Sequence, residues 1–565
     1  MKFQEYTYER PDFDAYKSKA AEIIKQIQSA DQAESAIDSI NEMSEQMSSL
    51  ETMMTLASIR HSINTKDTFY EAEDQYWNEH LPLYQEIDTD FYRAVVDSPY
   101  YETIEQYFPK TYIQNMQYEL QSFDKSVIEL LQKENQLSSD YQKLIASAEI
   151  EYDEKKLTLA QFGPYLQDTD RTVRRSASDA QWSFFEENES RFDDIYDQLV
   201  KTRNEIAKKL GFKDFVELGY IRMKRYDYNR EMVDVYRKQV LEYVVPVTTK
   251  LAAKQSNRIG IQNIKHYDTP LQFLDGNPVP QGDPDYIIKQ GRKMYHELSS
   301  ETGEFIDFMF DKELVDLLSK EGKAGGGYCT YIPNFDSPFI FANFNGTAGD
   351  IDVLTHEAGH AFQVFSSRWI KQPEIVLPTF ESCEIHSMSM EFFTYPWMEL
   401  FFKEQTEKYK FDHLSSALRF LPYGVLVDHF QHEVYEHPEM TPEERKSTWR
   451  KLEKQYLPER DFSDNDFLEK GTFWFRQGHI FGTPFYYIDY TLAQICALQF
   501  WKRALIDKDD QAWADYLEIC RVGGTQSFLE IIKTAHLRSP FEEGSLSGVV
   551  KTIEEELDKV DDTTL

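Results

Sequence analysis

Cysteine is scarce in this chain: Cys329, Cys383, Cys496 and Cys520 are the four in 565 residues, far apart and without a CxxC pair. That excludes a disulfide framework and suits a reducing compartment. No uninterrupted apolar stretch is long enough to span a bilayer. The opening MKFQEYTYERPDFDAYKSKAAEII lacks the apolar region of a signal peptide. Basic residues are in deficit, 61 against 98 acidic ones, for a net charge of −37. Such a surface repels phosphate backbones and anionic lipid, so neither nucleic acid nor a membrane is expected as a partner. Internal repeats and low-complexity tracts are missing too. The expectation is a soluble, cytoplasmic protein.

What is present suffices for a large core. Hydrophobic residues make up 41% and aromatic residues 15%, and the length exceeds one ordinary domain. We expect an N-terminal helical lobe over residues 1–165 and a catalytic region over 166–565. In the first, Ala36, Ile37, Ile40, Met43, Met47, Leu50 and Met53 recur at helical spacing and mark one buried face. The Pro-, Gly- and Asp-rich stretch 269–286 reads as a loop. In GKAGGGYCTYIPNFDSPFIFANFNGTAGD, glycines and prolines bracket PFIFANF (338–344), which reads as a short or edge strand. The predicted fold is mainly α, two helical lobes flanking a deep channel, with one small sheet just before the segment VLTHEAGHAFQVF.

That segment contains HExxH. His356 and His360 are four apart, so on a helix their rings lie one turn apart on one face. Two imidazole nitrogens so placed can reach one zinc ion at about 2.0–2.1 Å. Glu357, beside the first histidine, is positioned to act on a water without being a ligand itself. A metzincin would require Gly and His where the chain has Gln363 and Ser366, and the inverted HxxEH order is absent. A glutamate on a following helix is the remaining common third ligand. The segment PTFESCEIHSMSMEFF supplies Glu381, Glu384 and Glu391, which share a helix face with Met388. Carboxylates on an otherwise apolar helix are costly unless they meet cations. Cys383 is rotated off that face, and His386 points elsewhere.

HEAGH followed 24 residues later by EIHSMSME resembles the thimet oligopeptidase and oligoendopeptidase F group of gluzincins. The resemblance covers roughly residues 170–545. It implies Glu384 as third zinc ligand, with Glu381 and Glu391 as carboxylates that orient ligand histidines. It also matches His479, Tyr487 and Tyr490 in QGHIFGTPFYYIDYTLAQICALQFW to the group's other catalytic element, and leaves open whether Tyr486 or Tyr487 takes the upstream place. A Gly-rich loop and edge strand would bind the peptide backbone, which assigns that task to Gly326, Gly327, Tyr328, Phe341, Ala342 and Asn343. The implied activity is zinc-dependent endopeptidic hydrolysis of short, unstructured peptides, with one zinc ion per chain and Glu357 as general base. A zinc exopeptidase is the alternative within the class. A metal-bearing peptide-binding protein without turnover is the alternative outside it, and Glu357 argues against that, since binding alone needs no base.

Overall fold

A computed structural model describes residues 1–565, the side chain of Asn78 excepted. Its first body is a helical layer. Asp12 accepts from the Ala15 amide (2.9 Å) and starts the helix Phe13–Gln28, which lies against Ala33–Ile63 and Thr68–Val96. Along Ala33–Ile63, Ala36, Ile37, Ile40 and Met43 are buried, and Met47, Leu50 and Met53 pack partly buried on the same core. Tyr331, Val364, Ile370, Ile375 and Val376 from later in the chain complete this core. The helix Ile128–Ala146 differs from the expected division at 165: it packs on Glu189–Lys209, and its Leu137, Tyr141 and Leu144 belong to the second, larger core.

Two sheets interrupt the helices, one more than expected. The first is the hairpin β1 (Ile150–Tyr152) and β2 (Lys155–Leu157). Its turn residues Asp153 and Glu154 sit at φ 50° and 58°. That conformation is usually announced by Asn-Gly or Asp-Gly, which this turn lacks. The second contains β3 (Val315–Leu318), β4 (Tyr328–Ile332) and β5 (Ser337–Phe344), in the order β3-β5-β4, with β3 parallel and β4 antiparallel to β5. PFIFANF is therefore the middle strand and not an edge. A near-continuous apolar run is what a strand covered on both faces requires, and all of β5 except Asn343 is buried.

β5 delivers the chain to the helix Gly349–Ser367, which packs on it and on Phe380–Phe393. The helix Tyr487–Trp501 then lies against both Phe380–Phe393 and the long Thr406–Glu436. Gly359 makes the first crossing close: a Cβ there would sit 2.6 Å from Ser387 Cα and 2.7 Å from the His386 carbonyl oxygen. The loop expected to run to 286 ends earlier, because Asp283 accepts from the Tyr286 amide (2.8 Å) and caps the helix Pro284–Leu298. The fold is mainly α, and among the described residues no helix is long and apolar enough to cross a membrane.

Candidate active site

His356 and His360 occupy successive turns of Gly349–Ser367, with ring centroids 5.0 Å apart. Glu384, from the helix crossing at Gly359, points between them. Its Oε2 lies 3.3 Å from His356 Nε2 and 3.4 Å from His360 Nε2, and the three donor atoms lie within 4.8 Å of one another. Donors about 2.0–2.1 Å from a tetrahedral ion stand about 3.3–3.4 Å apart, so both histidine–glutamate separations fit one zinc ion. Burial opposes ionisation of Glu384, but the two imidazoles outweigh it and hold the carboxyl below its ordinary range. Ser387 Oγ donates to its Oε2 (3.1 Å) and the Tyr486 hydroxyl to its Oε1 (3.0 Å).

Glu391 sits behind the first histidine. Its Oε1 is 2.7 Å from His356 Nδ1 and its Oε2 is 2.8 Å from His413 Nε2, while His413 Nδ1 meets the Tyr395 hydroxyl at 2.7 Å. With the carboxylate accepting from both rings, His356 carries its proton on Nδ1, and Nε2 is left as a lone-pair donor. Burial raises the pKa of Glu391, yet its bonds to His356 and His413 bring it down to about 2. Glu381 goes elsewhere: it accepts from Thr379 Oγ1 (2.9 Å), and no hydrogen bond joins it to either histidine among the described residues. Cys383 Sγ turns away toward the Pro378 carbonyl oxygen (3.4 Å), and His386 is fully buried.

Glu357 is buried on the other side of the cluster, and its Oε2 has no hydrogen-bond partner among the described residues. Burial pushes its pKa up, and the neighbouring histidines counter this. Gly327 leaves space beside it, since a Cβ there would come 3.6 Å from Glu357 Oε1 and 3.4 Å from the Phe341 carbonyl oxygen. Gly326, at φ +87°, adopts the left-handed backbone that glycine tolerates.

The six residues assigned to backbone binding separate into two groups. Phe341 and Ala342 are buried in the middle strand, with neighbours on both sides. Asn343 clamps the loop, its Nδ2 donating to the Ala324 and Gly326 carbonyl oxygens at 2.9 and 2.8 Å. A middle strand has no unpaired edge to offer a peptide, so these three support the loop. Tyr328 lies on β4, one of the two edge strands. A cavity of about 440 Å³ lies between Tyr328, Cys329 and Thr330 of that strand and Met54, Ile59 and Trp77 of the first body.

From the far side, Tyr486, Tyr487 and Tyr490 project from the start of Tyr487–Trp501, and His479 from the short helix before it. Ring centroids lie 4.8 Å apart for Tyr486 and Tyr490, 5.6 Å for Tyr487 and Tyr490, and 4.9 Å for His479 and Tyr487. Of the two candidates for the upstream place, Tyr486 bonds Glu384, whereas Tyr487 stacks edge-on to Tyr423 at 5.8 Å. Burial, followed by the Glu384 charge, raises the pKa of Tyr490, so its phenol stays a neutral donor. Gln477 orients His479: its Oε1 accepts from the Tyr423 hydroxyl (2.7 Å) and its Nε2 donates to His479 Nδ1 (2.8 Å), which leaves the ring proton on Nε2. Tyr423, His413 and Tyr395 carry no local sequence motif and emerge from the fold alone, whereas Gln477 opens the segment QGHIFGTPFYYIDY without being singled out by it.

Two histidines one turn apart, a glutamate from the crossing helix and an unpaired carboxyl oxygen beside them define a candidate metallopeptidase centre. Comparison with known proteins gives the same class. The Peptidase M3 N-terminal domain profile matches residues 3–123, and the Peptidase family M3 profile matches residues 289–550. The chain belongs to peptidase family M3. A structure of Pz peptidase A with an inhibitor is 52% identical, with TM-score 0.95 and 100% of each chain covered. A candidate oligoendopeptidase F from Bacillus anthracis str. Ames is 51% identical, with TM-score 0.91, covering 100% of this chain and 99% of that one. The oligopeptidase PepF of Bacillus subtilis (strain 168) is 22% identical over 432 residues, a match spanning 72% of this chain and 60% of PepF.

Proposed function

We propose that the protein is a zinc-dependent oligoendopeptidase that hydrolyses internal bonds of short unstructured peptides. The observation that carries this reading is the pair of 3.3 and 3.4 Å separations between Glu384 Oε2 and the two histidine Nε2 atoms. His356, His360 and Glu384 would hold one zinc ion, which when bound supplies Lewis acidity toward water and the scissile carbonyl. Glu357 takes a proton from the attacking water on its carboxylate and later passes it to the leaving amine nitrogen. Tyr490, with His479 and one of Tyr486 or Tyr487, donates to the oxygen that becomes negative as the carbonyl carbon turns tetrahedral. The edge of β4 and the loop at Gly326 and Gly327 pair with extended peptide backbone. The first body, with its helices Phe13–Gln28, Ala33–Ile63 and Thr68–Val96, walls one side of the substrate channel. That geometry favours chains able to thread in over folded proteins. Four free thiols suit a cytoplasmic setting. An exopeptidase that grips a terminal carboxylate needs a cation nearby, and the cavity beside the cluster has no lysine or arginine in its lining.

Two substitutions test the assignment. Glu357→Gln should retain zinc, measured by elemental analysis after dialysis, and lose peptide hydrolysis. Near-normal hydrolysis by that variant removes Glu357 as the base. Tyr490→Phe should lower kcat by about 10² with zinc content and melting temperature unchanged. An unchanged kcat removes Tyr490 from the reaction.

A further inference from the structure

The residue that leads into the tyrosines is strained. Phe485, directly before Tyr486, holds φ at 69°, in the left-handed region that a bulky side chain disfavours. Such a conformation persists only where the surroundings over-determine it, and three contacts do so here. The Phe485 ring is fully buried against the helix Phe215–Arg222, where Gly219 makes room: a Cβ there would sit 2.5 Å from Phe485 Cδ2. The Phe485 amide donates to Gln431 Oε1 (3.1 Å), and its carbonyl oxygen accepts from Arg225 Nη2. The same Nη2 donates to Asp489 Oδ1 (3.0 Å). One nitrogen thus bridges the residue before Tyr486 and the residue before Tyr490. We propose that Arg225 is a positioning residue for hydrolysis, locking the turn from Phe485 to Asp489 so that the Tyr486 and Tyr490 hydroxyls face the metal cluster. That role rests on the part given above to the tyrosines.

The surroundings of Arg225 fit positioning better than stabilisation. The side chain is 3% exposed, and its guanidinium lies 4.2 Å from the centre of the Tyr220 ring and 5.5 Å from that of Tyr228, which fixes its plane. The Tyr228 hydroxyl donates to Asp489 Oδ1 as well (3.4 Å). Yet Nε and Nη1 of Arg225 and Oδ2 of Asp489 are buried without hydrogen-bond partners among the described residues. Buried polar groups left idle in this way are costly, and apolar side chains of the same volume are often at least as stable. An apolar pair, however, could not hold a backbone carbonyl in a disfavoured dihedral. Beyond the turn, the Tyr486 hydroxyl reaches Glu384 Oε1 (3.0 Å), and the Tyr490 ring lies 4.8 Å from that of Tyr486. Relaxation of the turn would move both hydroxyls, while His356, Glu357, His360 and Glu384 keep their places on the helices Gly349–Ser367 and Phe380–Phe393.

The test is steady-state kinetics of the zinc-loaded full chain on a quenched fluorescent peptide. Arg225→Met should lower kcat by about 10², the usual effect of misplacing an aligned group by about 1 Å, with KM within about twofold of the wild type and zinc content unchanged. Arg225→Lys, which can reach the Phe485 carbonyl or the Asp489 carboxyl but not both, should fall between. The decisive readout is a double-mutant cycle with Tyr490→Phe. Because Arg225 acts through the tyrosines, the double variant should lose no more than about threefold beyond the slower single variant. Losses that multiply, an unchanged kcat in Arg225→Met, or a raised KM alone overturn the proposal. Where Arg225→Met fails to fold, Gln431→Leu frees the other backbone group of Phe485 and goes through the same cycle. A wild type that cuts no peptide, or a Tyr490→Phe enzyme with full kcat, sinks the hydrolytic reading on its own. The crystal structure of Arg225→Met, or of Gln431→Leu in its place, then decides alone: Phe485 at negative φ with Tyr486 away from Glu384 supports the lock, and unchanged geometry rejects it.

Discussion

Two sets of carboxylates in this molecule meet opposite fates. Glu384 and Glu391 lie between packed helices, and each is bonded by imidazoles that keep it ionised despite burial. Glu51, Asp88 and Glu374 meet where the first body faces the turn Pro373–Ile375, which Tyr92 joins through a 3.4 Å bond to Glu374. None of these three forms an ion pair among the described residues, and Lys224, the cation acting on Glu51 and Glu374, pairs with Glu119. Burial, and then the charge of Glu374, raises Glu51 and Asp88 to about 7. The same side-chain chemistry thus yields carboxylates held below their ordinary range at one place and carboxyls pushed above it at another. Burial alone neutralises a carboxyl, even one that accepts from a tyrosine hydroxyl; fixed cationic partners decide otherwise.

The comparison can be tested at three strengths. Glu384→Gln removes the anion from between the histidines, so zinc should be lost on dialysis and turnover should fall by on the order of 10³-fold. Retention of stoichiometric zinc would show that the two histidines suffice. Glu391→Gln leaves the three ligand atoms in place but weakens the acceptor behind His356. Zinc affinity, measured by competition with a chelator, should drop by about 10–100-fold, and an unchanged affinity would reduce Glu391 to a packing role. The smallest effect belongs to the other set. A carboxyl raised to about 7 in the folded chain binds more protons there than in the unfolded chain between its ordinary value and pH 7. Stability from this source is therefore present at low pH and lost as pH rises through that window. Asp88→Asn should raise the melting temperature by about 1–2 °C at pH 8 and leave it unchanged below about pH 4. A lower melting temperature at pH 8 would mean that Asp88 is ionised and engaged.

The sequence disclosed those parts of the site that are local. His356, Glu357 and His360 are readable because four residues make one helical turn, and the three acids of the next helix are readable as a group. Periodicity could not rank them, because Phe380–Phe393 is buried on nearly every side and Glu381 finds Thr379 instead of a histidine. His413 reaches Glu391 from a helix that begins beyond it, at Thr406, so no spacing rule connects the pair. The placement of PFIFANF at an edge followed its flanking glycines and prolines. Its unbroken apolar character was the better guide and points to the middle of a sheet. The hairpin at Asp153 and Glu154 was invisible because its turn uses neither glycine nor asparagine.

Gly359 gives the HExxH motif a meaning beyond its named letters. The helix carrying the histidines and the helix carrying Glu384 cross at backbone contact there, so the distance between the donors is set by a missing side chain. Copying the two histidines and the glutamates onto another helical scaffold would not reproduce the centre unless the scaffold brought two backbones equally close. Within this chain, Gly359→Ala would act as a spacer that drives the Glu384 oxygen away from both imidazoles while all three ligand residues are retained. The spacing of the metal donors would then be set from a residue that offers no donor of its own.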